Sequence, residues 1–142
     1  MARILLLQGP NMSYLGRRQP ELYGTTTAAE LDALLTRHAA AKGIDLEIRY
    51  THVEGEAIAA IYRAVEQGVG GVVMNPAGFT QGGFALRDCL AAVPVPYIEV
   101  HMTNIEKRGV RSVTAASAVG VIAGLGVQSY VLALDAMAER LR

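Results

Sequence analysis

Side chains that can bind a small molecule or move a proton follow three apolar, strand-like runs. Asn11 comes after the run at 4–7, Asn75 directly follows the run at 71–74, and His101 ends the run at 97–101. An imidazole titrates near neutral pH, and amides donate and accept neutral hydrogen bonds. Ligands of open parallel sheets bind outside the carboxyl ends of the strands. We therefore expect these residues to converge on one edge, with His101 in acid–base chemistry rather than as a hydrogen-bonded core histidine.

The segment 15–24 is long, is bounded by glycines, and contains Arg17, Arg18 and Tyr23. Such a segment could close over a ligand as a lid. Taken alone, these residues favour a solvated loop in which the tyrosine only packs.

Other kinds of site are disfavoured. Cys89 is the only cysteine, which excludes an internal disulfide, and its apolar neighbours indicate a small buried residue in a helix rather than a nucleophile. His38, His52 and His101 lack the short paired spacing of metal ligands, so no metal site is predicted. The segment 9–16 lacks the glycine pattern of a nucleotide-binding loop.

Composition indicates a globular protein that acts on a small molecule. The chain has 142 residues, 51% of them hydrophobic, and thirteen basic residues balance thirteen acidic ones. A single domain spanning 1–142 is expected. Zero net charge argues against nucleic-acid or membrane-surface partners. No signal or membrane-spanning segment is expected, so the predicted location is the cytoplasm.

Short β-type runs alternate with longer helical ones, which is typical of an α/β fold. Thr27 and Glu30 form a capping-box pattern before a helix that ends near Gly43. The alternating run at 46–50 predicts an edge strand. Strands are predicted at 4–7, 46–50, 71–74, 97–101 and 120–123, and helices from Thr27, at 56–67, at 85–92 and at about 127–141. The helix at 56–67 should bury one stripe, formed by Ile58, Ile61, Tyr62 and Val65. Right-handed crossovers then give a three-layer sandwich.

Several segments together resemble type II 3-dehydroquinate dehydratase over nearly the whole chain. They are 8–12 (QGPNM), 16–24 (GRRQPELYG), 54–56 (EGE), 75–80 (NPAGFT), 85–88 (ALRD), 98–101 (IEVH) and 120–124 (GVIAG). The resemblance implies a flavodoxin-like sandwich with a five-stranded parallel sheet. It also implies anti elimination of water from 3-dehydroquinate through an enolate, with no cofactor and no metal.

The resemblance also implies roles for individual residues. Tyr23 would be the base; since a free tyrosine has a pKa of about 10, it needs an adjacent cation, which Arg18 would supply. His101 would be the general acid, supported by Glu99, and Asn11 would stabilise the enolate through a water or polar contact. The remaining substrate contacts would come from Asn75, Gln81, Met102, Thr103, Arg111 and, in a neighbouring subunit, Asp88.

Two departures from the family leave alternatives open. Gln81 stands where the family commonly has a histidine, and the basic segment after Asn104 is shortened, so Arg111 is only a candidate for the family's hydroxyl-binding arginine. The chain could instead be a paralogue that dehydrates a related cyclic acid, or a flavodoxin-like binding protein without activity. Neither Lys42 nor Lys107 suits the Schiff-base chemistry of type I enzymes. The resemblance further implies a homo-oligomer built from trimers, a dodecamer in the family, and leaves a shikimate-pathway or quinate-catabolic role open.

Overall fold

The computed structural model describes all 142 residues as alternating strands and helices. The strands are β1 (Ala2–Gln8), β2 (Ile44–Tyr50), β3 (Gly71–Asn75), β4 (Tyr97–His101) and β5 (Gly120–Ala123). The α-helices are α1 (Pro20–Tyr23), α2 (Ala28–Lys42), α3 (Glu54–Glu66), α4 (Phe84–Ala92) and α5 (Val127–Arg140). Short 3-10 helices cover Met12–Tyr14, Ala77–Gln81 and Thr114–Ser117. None of the helices is both long and apolar enough to cross a membrane.

All five strands pair in parallel in the order β2-β1-β3-β4-β5. This order confirms the predicted flavodoxin-like sandwich. β2 lies on one side of β1, whereas β3, β4 and β5 follow on the other side, so the order of strand addition reverses between β1 and β3. The predicted edge strand, β2, does lie at an edge. The loops after β1 and β3 touch at the reversal, where the Gly9 N–H donates to the Asn75 carbonyl at 2.9 Å.

Alternation along the central strands divides the core into two layers. Ile4 and Leu6 face a cluster with residues of α2 and α5, whereas Leu5 and Leu7 face a cluster with residues of α3 and α4. All four side chains are fully buried, as expected for a strand covered on both faces. The two helical layers thereby hold the carboxyl edge of the sheet in place.

The caps of α2 form as the sequence predicts. Thr27 Oγ1 accepts the Glu30 N–H, and the Glu30 carboxylate accepts the Thr27 N–H. Gly43 ends the helix with a φ of 68°, a left-handed conformation that glycine adopts without a Cβ clash.

Three features differ from the sequence expectation. The segment 15–24 contains the short helix α1, begun by Pro20 at its first turn, rather than loop alone. The 3-10 helices were not predicted because they span only three to five residues each. Tyr62, expected with Ile61 on the buried stripe of its helix, is 45% exposed. Ile61 is buried as predicted, and the other buried residues of α3 are Ala57 and Ala64.

Thr27→Ala should lower the free energy of unfolding by about 1 kcal/mol, because one N-terminal N–H of α2 loses its acceptor. Urea denaturation at fixed protein concentration measures this. Thr26→Ala, at the preceding residue, is the matched control. Equal midpoints for the two variants would contradict a stabilising capping box.

Candidate active site

A cleft opens at the carboxyl edge of the sheet, next to the reversal between β1 and β3. It encloses about 590 Å³ of empty space, part of it open to solvent. The lining residues follow β1, β3 and β4 or belong to the segment around α1. They are Met12, Arg18, Tyr23, Asn75, Ala77, Gly78, Thr80, Gln81, His101, Met102, Thr103, Ile105, Arg108 and Val110.

Most residues that the sequence singles out meet in this cleft. Those that line it are Arg18, Tyr23, Asn75, Gln81, His101, Met102 and Thr103. Glu99 lies behind His101. Asn11 is exposed next to the lining residue Met12, and its N–H donates to His52 Nδ1 at 3.1 Å. Asp88 and Arg111 are exposed and do not line the cleft.

Two guanidinium groups lie against the ring of Tyr23. The Arg18 Cζ is 4.9 Å from the ring centroid and the Arg108 Cζ is 5.6 Å from it. Cations at these distances are attracted to the ring face. They also place positive charge where a phenolate would gain Coulomb attraction.

His101 is buried at the end of β4 and hydrogen-bonds to Glu99. Its Nε2 lies 2.7 Å from Glu99 Oε2, and the side chain of Glu99 is fully buried. Tyr97, Glu99 and His101 alternate along the strand, so they share one face of the sheet. The strand itself therefore positions this pair.

The Glu99 carboxylate is held by a cluster of donors. Tyr97 donates to Oε1 at 2.7 Å, and Thr114 donates to the same oxygen at 2.6 Å. Burial by itself raises the pKa of Glu99, but its hydrogen bonds outweigh burial and bring the pKa below the ordinary value of 4.5. The donors responsible are His101, Thr114, Ser112 and Tyr97. Glu99 is therefore ionised at neutral pH.

An ionised Glu99 determines where His101 can exchange a proton. The carboxylate only accepts, so Nε2 carries a hydrogen, and Nδ1 makes no hydrogen bond with the protein. His101 can therefore exchange a proton with a ligand only through Nδ1, the geometry that a general acid or base requires.

Free backbone donors lie just after β4. Neither the Met102 N–H nor the Thr103 N–H donates a hydrogen bond to the protein. The Thr103 hydroxyl accepts from Arg108 Nη1 at 2.9 Å, which anchors that guanidinium at the cleft. Together these groups can receive an anionic ligand.

The cleft lining contains Arg18 and Arg108 but no Asp or Glu. No group of three or more His, Cys, Asp or Glu side chains in the chain is arranged to hold a metal ion. The arrangement can bind a small organic anion and transfer protons on it, since a tyrosine and a histidine both line the cleft.

Comparison with known proteins identifies the family. The Dehydroquinase class II family model matches residues 2–138. The chain is 44% identical to a 3-dehydroquinate dehydratase of Saccharophagus degradans over 99% of each sequence. The chain belongs to the class II dehydroquinase family. Solved type II dehydroquinases from Propionibacterium acnes and Butyrivibrio crossotus superpose with TM-scores of 0.92, at 40% and 34% identity. The matches cover 98% and 96% of this chain and 97% of each solved chain.

For this dehydroquinase, sequence reasoning missed three residues of the site region. Arg108 lines the cleft, whereas Arg111 was the arginine proposed from the sequence. Tyr97 shares the strand face of Glu99, so period-two alternation could have indicated it. Thr114 comes from a distant 3-10 helix, and no local pattern signals its contact with Glu99.

In this dehydroquinase, Glu99→Gln should reduce the loss of folding stability that occurs as the pH falls. Because the folded-state pKa of Glu99 lies below 4.5, its ionised form stabilises the fold above about that pH. That contribution is lost as the pH falls through the lower folded-state value. Denaturation midpoints between pH 7 and pH 3 should fall more steeply in the wild type than in the variant. Parallel profiles would contradict this assignment.

Proposed function

We propose that this chain dehydrates 3-dehydroquinate to 3-dehydroshikimate by anti elimination through an enolate, without a cofactor. The observation that best supports the proposal is the cleft that combines Tyr23, beneath two guanidinium groups, with His101, backed by an ionised Glu99. The 3-dehydroquinate dehydratases among its relatives indicate the substrate.

Tyr23 is the proposed base. Its phenolate removes a proton from the carbon beside the substrate ketone, and the electron pair moves onto the ketone oxygen as an enolate. Arg18 and Arg108 favour the phenolate by Coulomb attraction. Asn11 stabilises the enolate oxygen through a water or polar contact; its side chain is free to do so because it does not cap the following 3-10 helix.

His101 is the proposed acid. As the enolate collapses, the bond from carbon 1 to its hydroxyl breaks, and the departing oxygen takes the Nδ1 proton to leave as water. Glu99 supports the imidazolium before this step.

The substrate carboxylate is assigned to the free N–H groups of Met102 and Thr103 and to the Thr103 hydroxyl. Asn75 orients the substrate or His101. Gln81 contacts the distal ring hydroxyls as a neutral hydrogen-bonding group. Arg111 was the sequence candidate for those hydroxyls; because Arg108 lines the cleft and Arg111 does not, we assign that contact to Arg108.

The second candidate is dehydration of a related cyclic hydroxy acid. Gln81 in the lining and the position of Arg111 outside it favour this alternative, because both alter the part that would read the distal hydroxyls. A purely binding role would give no reason for Tyr23, Arg18 and His101 to share one cleft.

Purified protein mixed with 3-dehydroquinate should produce the ultraviolet absorbance of the conjugated product, unaffected by EDTA or borohydride. Tyr23→Phe and Arg18→Ala should lower kcat by about a hundredfold or more while remaining folded, because the base is removed or less ionised.

Arg17→Ala is the matched control, since Arg17 lies over Tyr14 rather than Tyr23. Wild-type turnover by Tyr23→Phe would remove the base assignment. No turnover by folded wild-type protein would favour the alternative substrate.

We also propose a cytoplasmic homo-oligomer built from trimers, a dodecamer, in which Asp88 reaches a neighbouring subunit's cleft. Asp88 is 72% exposed in its own subunit and makes only a contact with the adjacent Arg87. The edge strand β5 and its surroundings expose apolar side chains at Val119, Val121 and Leu125. Exposed apolar edges of this kind are commonly covered by a partner.

Light scattering during size-exclusion chromatography should give a mass several times that of one chain. Asp88→Ala should lower kcat/KM about tenfold because a charged contact to the neighbouring cleft is lost. Glu66→Ala, an exposed acidic residue on α3, should not. A monomeric mass with full activity would defeat the shared-site assignment.

A further inference from the structure

A row of polar side chains crosses the sheet at its carboxyl edge, on the face covered by α2 and α5. Gln8, Tyr50 and Asn75 end β1, β2 and β3, and the sheet register pairs Gln8 with both of the others. Asn75 also lines the cleft. The row therefore links the site to the core beneath it.

Helix residues complete the row with close hydrogen bonds. Asn75 Nδ2 donates to the Tyr130 hydroxyl at 2.8 Å, and that hydroxyl donates to Gln8 Oε1 at 2.8 Å. At the far end the Tyr50 hydroxyl donates to Asp32 at 2.8 Å. Tyr130 and Gln8 are fully buried, so water cannot substitute for either partner.

The bonds have a single direction. A carboxamide oxygen only accepts, so Tyr130 must use its one hydrogen on Gln8 and can offer only lone pairs to Asn75. The nitrogen of Asn75 must then face Tyr130. That leaves Asn75 Oδ1 to accept the Ala77 N–H, which it does at 3.0 Å.

Exchanging the positions of the Gln8 side-chain oxygen and nitrogen would break this pattern of hydrogen bonds. Tyr130 would then donate to Asn75, and the Ala77 N–H would lose its acceptor. Gln8 Nε2 has no partner of good geometry. Its register neighbour Tyr50 uses its hydroxyl hydrogen on Asp32.

The bond to Ala77 matters because Ala77 has a φ of 47°. A non-glycine residue in this left-handed region is strained and persists only when its surroundings hold it. Ala77 also lines the cleft. Orientation of Asn75 thus controls both its own amide and the neighbouring wall.

We propose that Tyr130 is a positioning residue: its hydroxyl, anchored on Gln8, fixes the Asn75 carboxamide and, through it, the Ala77 turn of the cleft. Tyr130 touches neither the cleft nor the reacting atoms and acts only through Asn75. The kinetic consequence rests on the dehydratase activity proposed above.

The test is a double-mutant cycle on 3-dehydroquinate turnover with Tyr130→Phe and Asn75→Ala. Tyr130→Phe should lower kcat/KM about tenfold in the wild-type background. In the Asn75→Ala background it should change kcat/KM less than twofold, because the residue it positions is already gone. Multiplicative losses, or wild-type kinetics of Tyr130→Phe, would overturn the proposal.

Two further variants separate positioning from general destabilisation. Ile61→Val, buried in the opposite layer, should lower the melting temperature without changing kcat/KM. If Tyr130→Phe does not fold, Gln8→Met removes the anchor instead and should give the same cycle. If the losses in kcat/KM from Gln8→Met and Asn75→Ala multiply in the double variant, the proposal is also overturned.

A crystal structure of Tyr130→Phe, or of Gln8→Met, provides a readout that does not need activity. The bond between Asn75 Oδ1 and the Ala77 N–H should lengthen or break. If wild-type protein does not turn over 3-dehydroquinate, the proposed function fails, and this structure alone decides the positioning. An unchanged bond between Asn75 Oδ1 and the Ala77 N–H would then contradict the positioning role of Tyr130.

Discussion

The buried charge of Glu99 is the constraint on which the arrangement of the site depends. A carboxylate without solvent is costly unless donors surround it. Tyr97 from the same strand and Thr114 from a distant 3-10 helix supply such donors, and His101 supplies another toward the cleft. The hydrogen bonds that stabilise this carboxylate therefore have two further effects. The bond from Thr114 holds the segment after β4 against the sheet, and the bond from His101 orients the imidazole.

Alternation along the strands keeps two polar systems apart. Glu99 and His101 lie on the face of Tyr97, which packs with the α3 and α4 layer, whereas Asn75 and Gln8 belong to the face covered by α2 and α5. The two systems meet only at the carboxyl edge, where the cleft opens. Each can therefore hold its own cleft residue rigidly without sharing donors with the other, which is how a site gains precise geometry from an apolar sheet.

How far the sequence predicts the molecule depends on whether the signal is local. The strands, the caps at Thr27 and Gly43, and the edge position of β2 all follow from periodicity and turn chemistry, and the structure confirms them. The roles proposed for Tyr23 and His101 needed the resemblance as well. Thr114 on Glu99 and Tyr130 on Asn75 could not be predicted, because those contacts join residues 15 and 55 positions apart.

The cleft carries positive charge although the chain as a whole has no net charge. The chain as a whole is neutral, so it offers little long-range attraction to an anion. Arg18 and Arg108 instead concentrate positive charge where no lining carboxylate offsets it. Arg108 is tied to Thr103, only two residues beyond His101, so a short anchored segment rather than a long mobile one presents this cation.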